Sequence, residues 1–542
     1  MATRCLFTIV LALTSFACGG PGASQPPPLS ITTASLSNGF VGFPYSQTVE
    51  ASGGMPPFSW TVSSGTLPQN LVLANQSSGT ATISGTPILV QNSVAFGIEV
   101  TDAKNQVATR SFAINVEPTA VAQLQEVQGQ APDGTAEIQG LSASSFNPVY
   151  WQQNTLNWVP DVRLPMLAPQ TTSPYQNIYA PWALETPTEW RMFYGGWDGS
   201  DTQNDRVYSV TTSDFLAFDN RALVIDHGVF VHVNNVNVQR LSDGSLHMIC
   251  TAYPDQNNLN KPVYFSSPDG VTWNDFPQPY QAQLSDIVSI EDYANFQTGD
   301  FNGANVLLWN GSTWTLYFSN WNDQGPNGTM YRATTDSPPS FVLQGIAMNT
   351  IYGIQDVRNF QTGGENWYVA GFSHNASSLW YSLSNDGIHF GAMETLFSSV
   401  PSGEDPYIVS LGFVTSGSQL LGVVYGAGSD PALDENRIFA RWLQKKLVFT
   451  DSFGTEYAVQ GALGPDRQWL QVHSGTFQGT IAVYAEDGIT PLAAGPLSLS
   501  AGKTYVLSVV PSQVTAAAES SPQVSPEKSA PAFQLRFRPD RH

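Results

Sequence analysis

A chain of 542 residues is longer than one hydrophobic core can organise, so about three or four folding units are expected. Charged side chains make up only 12% and aromatic ones another 12%, and 46 Gly with 37 Pro favour short strands and many turns over long salt-bridged helices. The 43 acidic against 21 basic residues give a net charge of −22, which leaves no basic stripe to neutralise phosphates. That excludes nucleic acid and anionic membrane surfaces as partners and favours a neutral polymer, a polysaccharide or other glycan.

The chain starts with one cation, Arg4, an apolar run from Leu6 to Leu13, and the small residues Ala17, Cys18, Gly19 and Gly20. This is the layout of an export signal over 1–18, too short to span a bilayer comfortably, followed by a Pro-rich linker over 19–28. Cys18 before two glycines resembles a bacterial lipoprotein cleavage site, which implies lipidation of Cys18 and contact with a membrane only through that anchor. Plain cleavage near Ala17, with release of the protein, is the alternative. Cys5 and Cys18 both lie in this segment, so Cys250 has no partner for an intramolecular disulfide, and its apolar surroundings, HMICTAY, point to a buried, inert thiol.

From 29 to 117 short alternating strands broken by Gly-Gly, Leu-Pro and Thr-Pro turns predict a sandwich. The strings SGGMPPFSW from Ser52, GTLPQNLVL from Gly65, ISGTP from Ile83 and FGIEVTDA from Phe96 resemble the immunoglobulin-like modules of bacterial surface proteins, which implies a spacer or adhesion support. Some such modules hold calcium between domains, but here only Glu99 and Asp102 stand in the matching strand, which is no acidic cluster. The stretch 118–145, rich in Gln, Ala and Gly, reads as a linker or a strand-containing lead-in.

Five segments between 146 and 445 share one order of apolar strand, turn, second strand and third strand. The residues that open their second strands, Trp190, Leu246, Trp314, Trp367 and Leu420, are separated by 56, 68, 53 and 53 residues, a blade-sized period. Five such units closing on themselves make a five-bladed β-propeller, with function expected where the first strands start and converge. The turns around Asp269 and Asp386 are expected to be structural.

Glycosidic cleavage needs two carboxyl groups flanking one bond. Acids just before or within the first strands are Asp300 from the third unit, Asp356 from the fourth and Glu404 with Asp405 from the fifth, while the second offers Asn234, Asn235 and Asn237. Arg358, two residues after Asp356, fits either a clamp on sugar hydroxyls or a structural ion pair. Trp182, with Tyr179 and Tyr407, fits a stacking platform for sugar rings or blade packing. His232, His247 and His374 are scattered, so no metal and no cofactor is expected, and His232 at the start of the second unit is the histidine of interest.

APW at Ala180 and EDPYI at Glu404 resemble segments of the five-bladed propeller glycoside hydrolases, the arabinanase, xylosidase and fructosidase-like group that includes family 43. The resemblance implies Glu404 as the general acid and Asp356 or Asp300 as base or pKa-tuning acid, with Trp182, Arg358, Asn235, Asp405 and His232 toward the substrate. Ala180 and the asparagines stand where that group keeps acids, and an amide cannot ionise to activate water. Two readings therefore stand, a glycoside hydrolase and a non-catalytic glycan-binding or adhesion protein. A small β appendage over 446–511 and a disordered Ser/Pro/Ala-rich tail over 512–542 complete an all-β chain.

Overall fold

A computed structural model of the chain describes residues 27–511 apart from 76–78, 171–175, 201, 254–258, 295, 297–300, 302–303, 320–328, 400–404, 431–433, 460 and 473–474. The export segment with Cys18, the tail, and two of the predicted catalytic residues, Asp300 and Glu404, lie outside the described residues.

The first unit is a sandwich of two four-stranded sheets. One orders Ser30–Ile31, Tyr45–Ser52, Thr80–Gly85 and Leu71–Asn75, and the other Gly39–Phe40, Val107–Glu117, Gln91–Thr101 and Ser59–Gly65. Alternation sends Val49, Ile83, Ile98, Val100 and Ile114 to the shared core around Trp60. Asp102 takes the main-chain N–H groups of Met55, Lys104 and Gln106, each at 2.8 Å, so its carboxylate closes a turn.

Five sheets then follow one another as blades. The first runs through Ile178–Glu185, Trp190–Gly196, Arg206–Thr212 and Asp219–Asp226, and the second through His232–Arg240, Leu246–Tyr253 and Lys261–Ser267. The third holds Val306–Trp309, Trp314–Ser319, Met330–Thr335 and Ser340–Met348, and the fourth Gly353–Thr362, Glu365–Ser373, Ser378–Ser384 and Glu394–Ser398. Blade five comprises Tyr407–Ser416, Gln419–Gly428 and Arg437–Leu443, and its outermost strand, Trp158–Pro160, comes from the start of the propeller. That strand closes the ring, and the innermost strands touch their neighbours all the way round. The closing segment is pinned by Asp161, whose Oδ2 accepts from the Trp442 indole at 2.8 Å while Arg163 pairs with Oδ1 at 2.8 Å.

Close approach of the blades depends on small residues in the second strands. A Cβ on Gly426 would lie 2.6 Å from that of Tyr179 on blade one, and a Cβ on Gly371 would lie 2.6 Å from Leu411 on blade five. Register breaks recur in the innermost strands, at Tyr179/Trp182, Asn234/Asn237, Ile354/Asp356 and Ile408/Ser410. Such bulges bend the strand and re-aim its side chains. Ala180 and Asn235, inside two of them, have left-handed φ values of 49° and 55°.

In the third unit the stretch 118–145 is the strand-containing alternative rather than the linker, and its strands belong to the same sheet as the C-terminal appendage. Ala120–Val127 and Thr135–Gln139, within 118–145, are strands of one nine-stranded sheet whose other members lie between Lys446 and Val510. Ala120–Val127 runs antiparallel to Thr504–Val510, and Thr135–Gln139 antiparallel to Arg467–Gln471. The propeller is thus an insertion between two parts of this β domain. The strands were hard to foresee because Gln, Ala and Gly give a faint period-2 pattern, and the strands that cover them arrive more than 300 residues later.

Candidate functional site

Strands one and three of an antiparallel blade run the same way, so the starts of both open on one face of the propeller. On that face, between blades one and two, Asp205 precedes the third strand of blade one. Its Oδ2 accepts hydrogen bonds from the Tyr179 hydroxyl at 2.7 Å and from the Asn234 amide at 2.5 Å. The Nδ1 of His232 lies 3.1 Å from the main-chain N–H of Asp205, which donates to it, and 3.3 Å from Oδ2. The His232 side chain keeps 29% of its surface exposed against 6% for Asp205. The Oδ1 of Asp205 is buried with no hydrogen-bond partner among the described residues. Burial first, and the negative charge of Asp205 second, hold the Tyr179 phenol well above its ordinary range, so it remains a donor. Tyr179, Asn234, Asp205 and His232 thus form a polar rim that is partly open to solvent.

Deeper, on the innermost strand of blade four, Asp356 is completely buried. Its Oδ2 accepts from Arg358 Nε at 3.0 Å and from the main-chain N–H of Phe413 on blade five at 2.8 Å. Arg358 also donates to the Phe413 carbonyl at 2.8 Å and stacks its guanidinium 3.8 Å from the centre of the Trp182 ring on blade one. The group ties blades four, five and one together. Burial raises the Asp356 carboxyl to about 6, against the opposing pull of Arg358 and the Phe413 N–H. A carboxyl near 6 suits a general acid, but a fully buried one reaches no substrate. Asn237 plays the same part between blades two and three, its Oδ1 accepting from the Leu307 N–H at 3.0 Å.

The site residues expected from the sequence therefore fall into separate places. Of the two readings of Trp182, a stacking platform or blade packing, the structure has the second: the ring is buried between blades and Arg358 covers its face. Asp356 and Arg358 are paired with each other inside the hub rather than facing the opening. Asp405 is held by Arg437 through contacts of 2.9 and 2.6 Å, a forked ion pair at the rim of blade five. His232 opens the first strand of blade two, and Asn235, in the bulge beside it, is half-buried. Asp205 was not foreseen. The acids near first strands point to that face, but Asp205 stands before a third strand, which starts at the same face. Among the described residues no group of three or more His, Cys, Asp or Glu is arranged to hold a metal ion, and no helix is long and apolar enough to cross a membrane.

Residues 27–117 match the family model described as "Putative Ig domain". No curated protein matches the chain. Solved structures that resemble it include the Bombyx mori GH32 β-fructofuranosidase BmSUC1, at 9% identity over 68% of this chain and 92% of the enzyme, with a TM-score of 0.36. Another is CoXyl43, a GH43 β-xylosidase/α-arabinofuranosidase from a compost microbial metagenome in complex with xylotriose, at 12% identity over 55% of this chain and 98% of that one, TM-score 0.37. An endo-1,4-β-xylanase from Bacteroides thetaiotaomicron shares 12% identity over 54% and 97%, TM-score 0.34. The five-bladed assignment itself stands on the sheet order of this chain.

Proposed function

We propose that this is an exported protein whose propeller engages a neutral polysaccharide at the face where the first and third strands start, with the immunoglobulin-like module as spacer. The observation that carries the reading is the rim of Tyr179, Asn234, Asp205 and His232, neutral and acidic hydrogen-bonding groups converging from two blades beside a half-open surface. Asp356 is committed to Arg358 and Asp405 to Arg437, so neither is assigned a hydrolytic role. Export rests on the first 18 residues, and we assign Cys18 as the lipid-carrying residue.

The test is retardation of the mature full-length chain in native gels cast with arabinoxylan, linear arabinan or levan, beside His232→Ala and a reducing-sugar assay on the same polymers. Retardation that weakens about tenfold in His232→Ala supports a binding rim. No retardation by any neutral polymer overturns the proposal. Release of reducing sugar that is abolished in Glu404→Gln replaces it with a glycoside hydrolase. For the anchor, Cys18→Ser is expected to move the protein from the membrane fraction to the soluble exported fraction.

A further inference from the structure

Away from the rim, the outer edge of blades one and two carries a second concave surface of about 430 Å³, lined by Phe276, Pro277, Pro279, Tyr280, Gln281 and Gln283. This volume is within the range of small-ligand sites, roughly 300–1,000 Å³. The local sequence builds it from a short hairpin. Asn274 and Asp275, with φ of 46° and 69°, form the left-handed turn between Thr272–Trp273 and Phe276–Pro277. Trp273 anchors the hairpin in the core between blades one and two, and the cross-strand partner Phe276 is left 61% exposed.

The exposed ring is not loosely held. Asn274 accepts from the Ser266 N–H at 2.9 Å and donates to Asp286 at 3.2 Å, and the Phe276 ring lies 6.0 Å from that of Tyr280. Tyr280 in turn donates to Asp286 at 3.1 Å. An aromatic ring on a braced hairpin beside a second aromatic ring and two prolines is a preformed apolar surface, and such a surface loses little entropy on binding.

The lining also says what kind of molecule fits. It contains no charged side chain, and a neighbouring carboxylate, Asp226, is held by Arg206 at 2.9 Å and by the Gln281 amide at 3.2 Å, so the surface itself is aromatic and amide in character. Aromatic and proline faces match the apolar C–H faces of a sugar ring, and beside them lie the amides of Gln281 and Gln283, which also donate to Asp226 at 3.2 Å and to the Gln281 carbonyl at 2.9 Å, respectively. A peptide strand is disfavoured because the nearby edge strand, Tyr280–Gln281, is only two residues long and offers almost no ladder.

We infer that this cleft is a second glycan-binding site, which takes a further stretch of the same polysaccharide and raises the avidity of the protein for long chains. The choice of ligand rests on the polysaccharide reading above, but the site does not. The full-length chain, Phe276→Ala, Phe276→Trp and His232→Ala are compared by calorimetric titration with a soluble polymer that retards the wild type and with the trisaccharide of the same sugar.

Phe276→Ala is expected to weaken polymer binding roughly tenfold while leaving trisaccharide affinity within about twofold, and Phe276→Trp to retain wild-type binding. His232→Ala should lose the trisaccharide. Unchanged polymer affinity in Phe276→Ala, with its thermal unfolding also unchanged, overturns the second site and leaves the rim reading intact. A wild type that binds no neutral polymer overturns both. If Phe276→Ala fails to fold, equal polymer affinity of Phe276→Lys and wild type would overturn the second site, because an ammonium has no apolar face to stack.

Discussion

Asp356 and Asp205 are both buried, each meets a basic side chain and links one blade to the next, yet their partners differ in access to water. Asp356 is sealed beneath Arg358, itself pressed on Trp182, and serves the main chain of blade five. Asp205 is nearly as buried, but it stands beside a histidine that still meets water. The difference teaches that a repeat position near the axis does not by itself make a carboxylate chemical. What separates the two is the partner's exposure, 12% of the side chain for Arg358 against 29% for His232.

The sharpest way to break this comparison is to remove the buried member. Asp356→Ala strands the Arg358 guanidinium in the hub and leaves the Phe413 N–H without its acceptor. A loss of about 3–5 kcal/mol in urea unfolding of the full chain is expected, as for other broken buried pairs. A change under 1 kcal/mol would show that the hub is not held this way.

A second expectation concerns pH. The Asp356 carboxyl lies at about 6 in the fold against 3.8 for the free group, so between those values the folded state binds more protons than the unfolded one. Its contribution is therefore most favourable below about pH 4 and falls as pH rises to 6, by about 3 kcal/mol in all. Asp356→Asn cannot titrate. The stability of wild type minus that of Asp356→Asn should decline between pH 4 and pH 7, and a flat difference would contradict the burial argument.

At the open site the expected effects are smaller in stability and larger in binding. Asp205→Ala removes the acceptor of the Tyr179 hydroxyl and the Asn234 amide, which costs roughly 1–3 kcal/mol if water does not replace it. Glycan retardation should fall at least as far as in His232→Ala. Stability lost with retardation unchanged would reassign the cluster to blade packing.

Much of the propeller was legible because its signal is local and repeated. Trp190, Leu246 and Trp314 open the second strands of their blades, and Trp367 and Leu420 lie one or two residues inside theirs. The sandwich was legible for the same reason, since alternation in Tyr45–Ser52 or Val107–Glu117 needs only a ladder partner a few dozen residues away. What escaped is long-range. Nothing local in Ala120–Val127 announces a partner at Thr504–Val510, and nothing near Trp182 announces that Arg358 from blade four will cover it. The rim was half legible. His232 and the asparagines were found from first-strand starts, whereas Asp205 required the further step that third strands start at the same face.

The smallest effect distinguishes a surface aspartate from the buried one by its sign. In the turn after the third strand of blade four, Asp386 accepts from the N–H groups of Ile388 and His389 at 2.7 and 2.8 Å and from the His389 ring at 2.9 Å. Asp269 holds the matching turn of blade two through Val271 and Thr272, which is the structural role expected of both. Partial desolvation pushes the Asp386 carboxyl up, but the hydrogen bonds from His389, Ile388 and Ser384 together outweigh it and set it below the usual carboxylate range. A depressed carboxyl stabilises the fold above its unfolded pKa and loses that contribution as pH falls, the reverse of Asp356. With 41% of the side chain exposed, solvent screening holds the effect of Asp386→Asn within roughly 1 kcal/mol at pH 7. In urea titrations the gap between wild type and Asp386→Asn should begin to narrow as pH falls below 3.8, while the gap for Asp356→Asn moves the other way. Parallel pH profiles for the two variants would mean that burial does not separate the two aspartates.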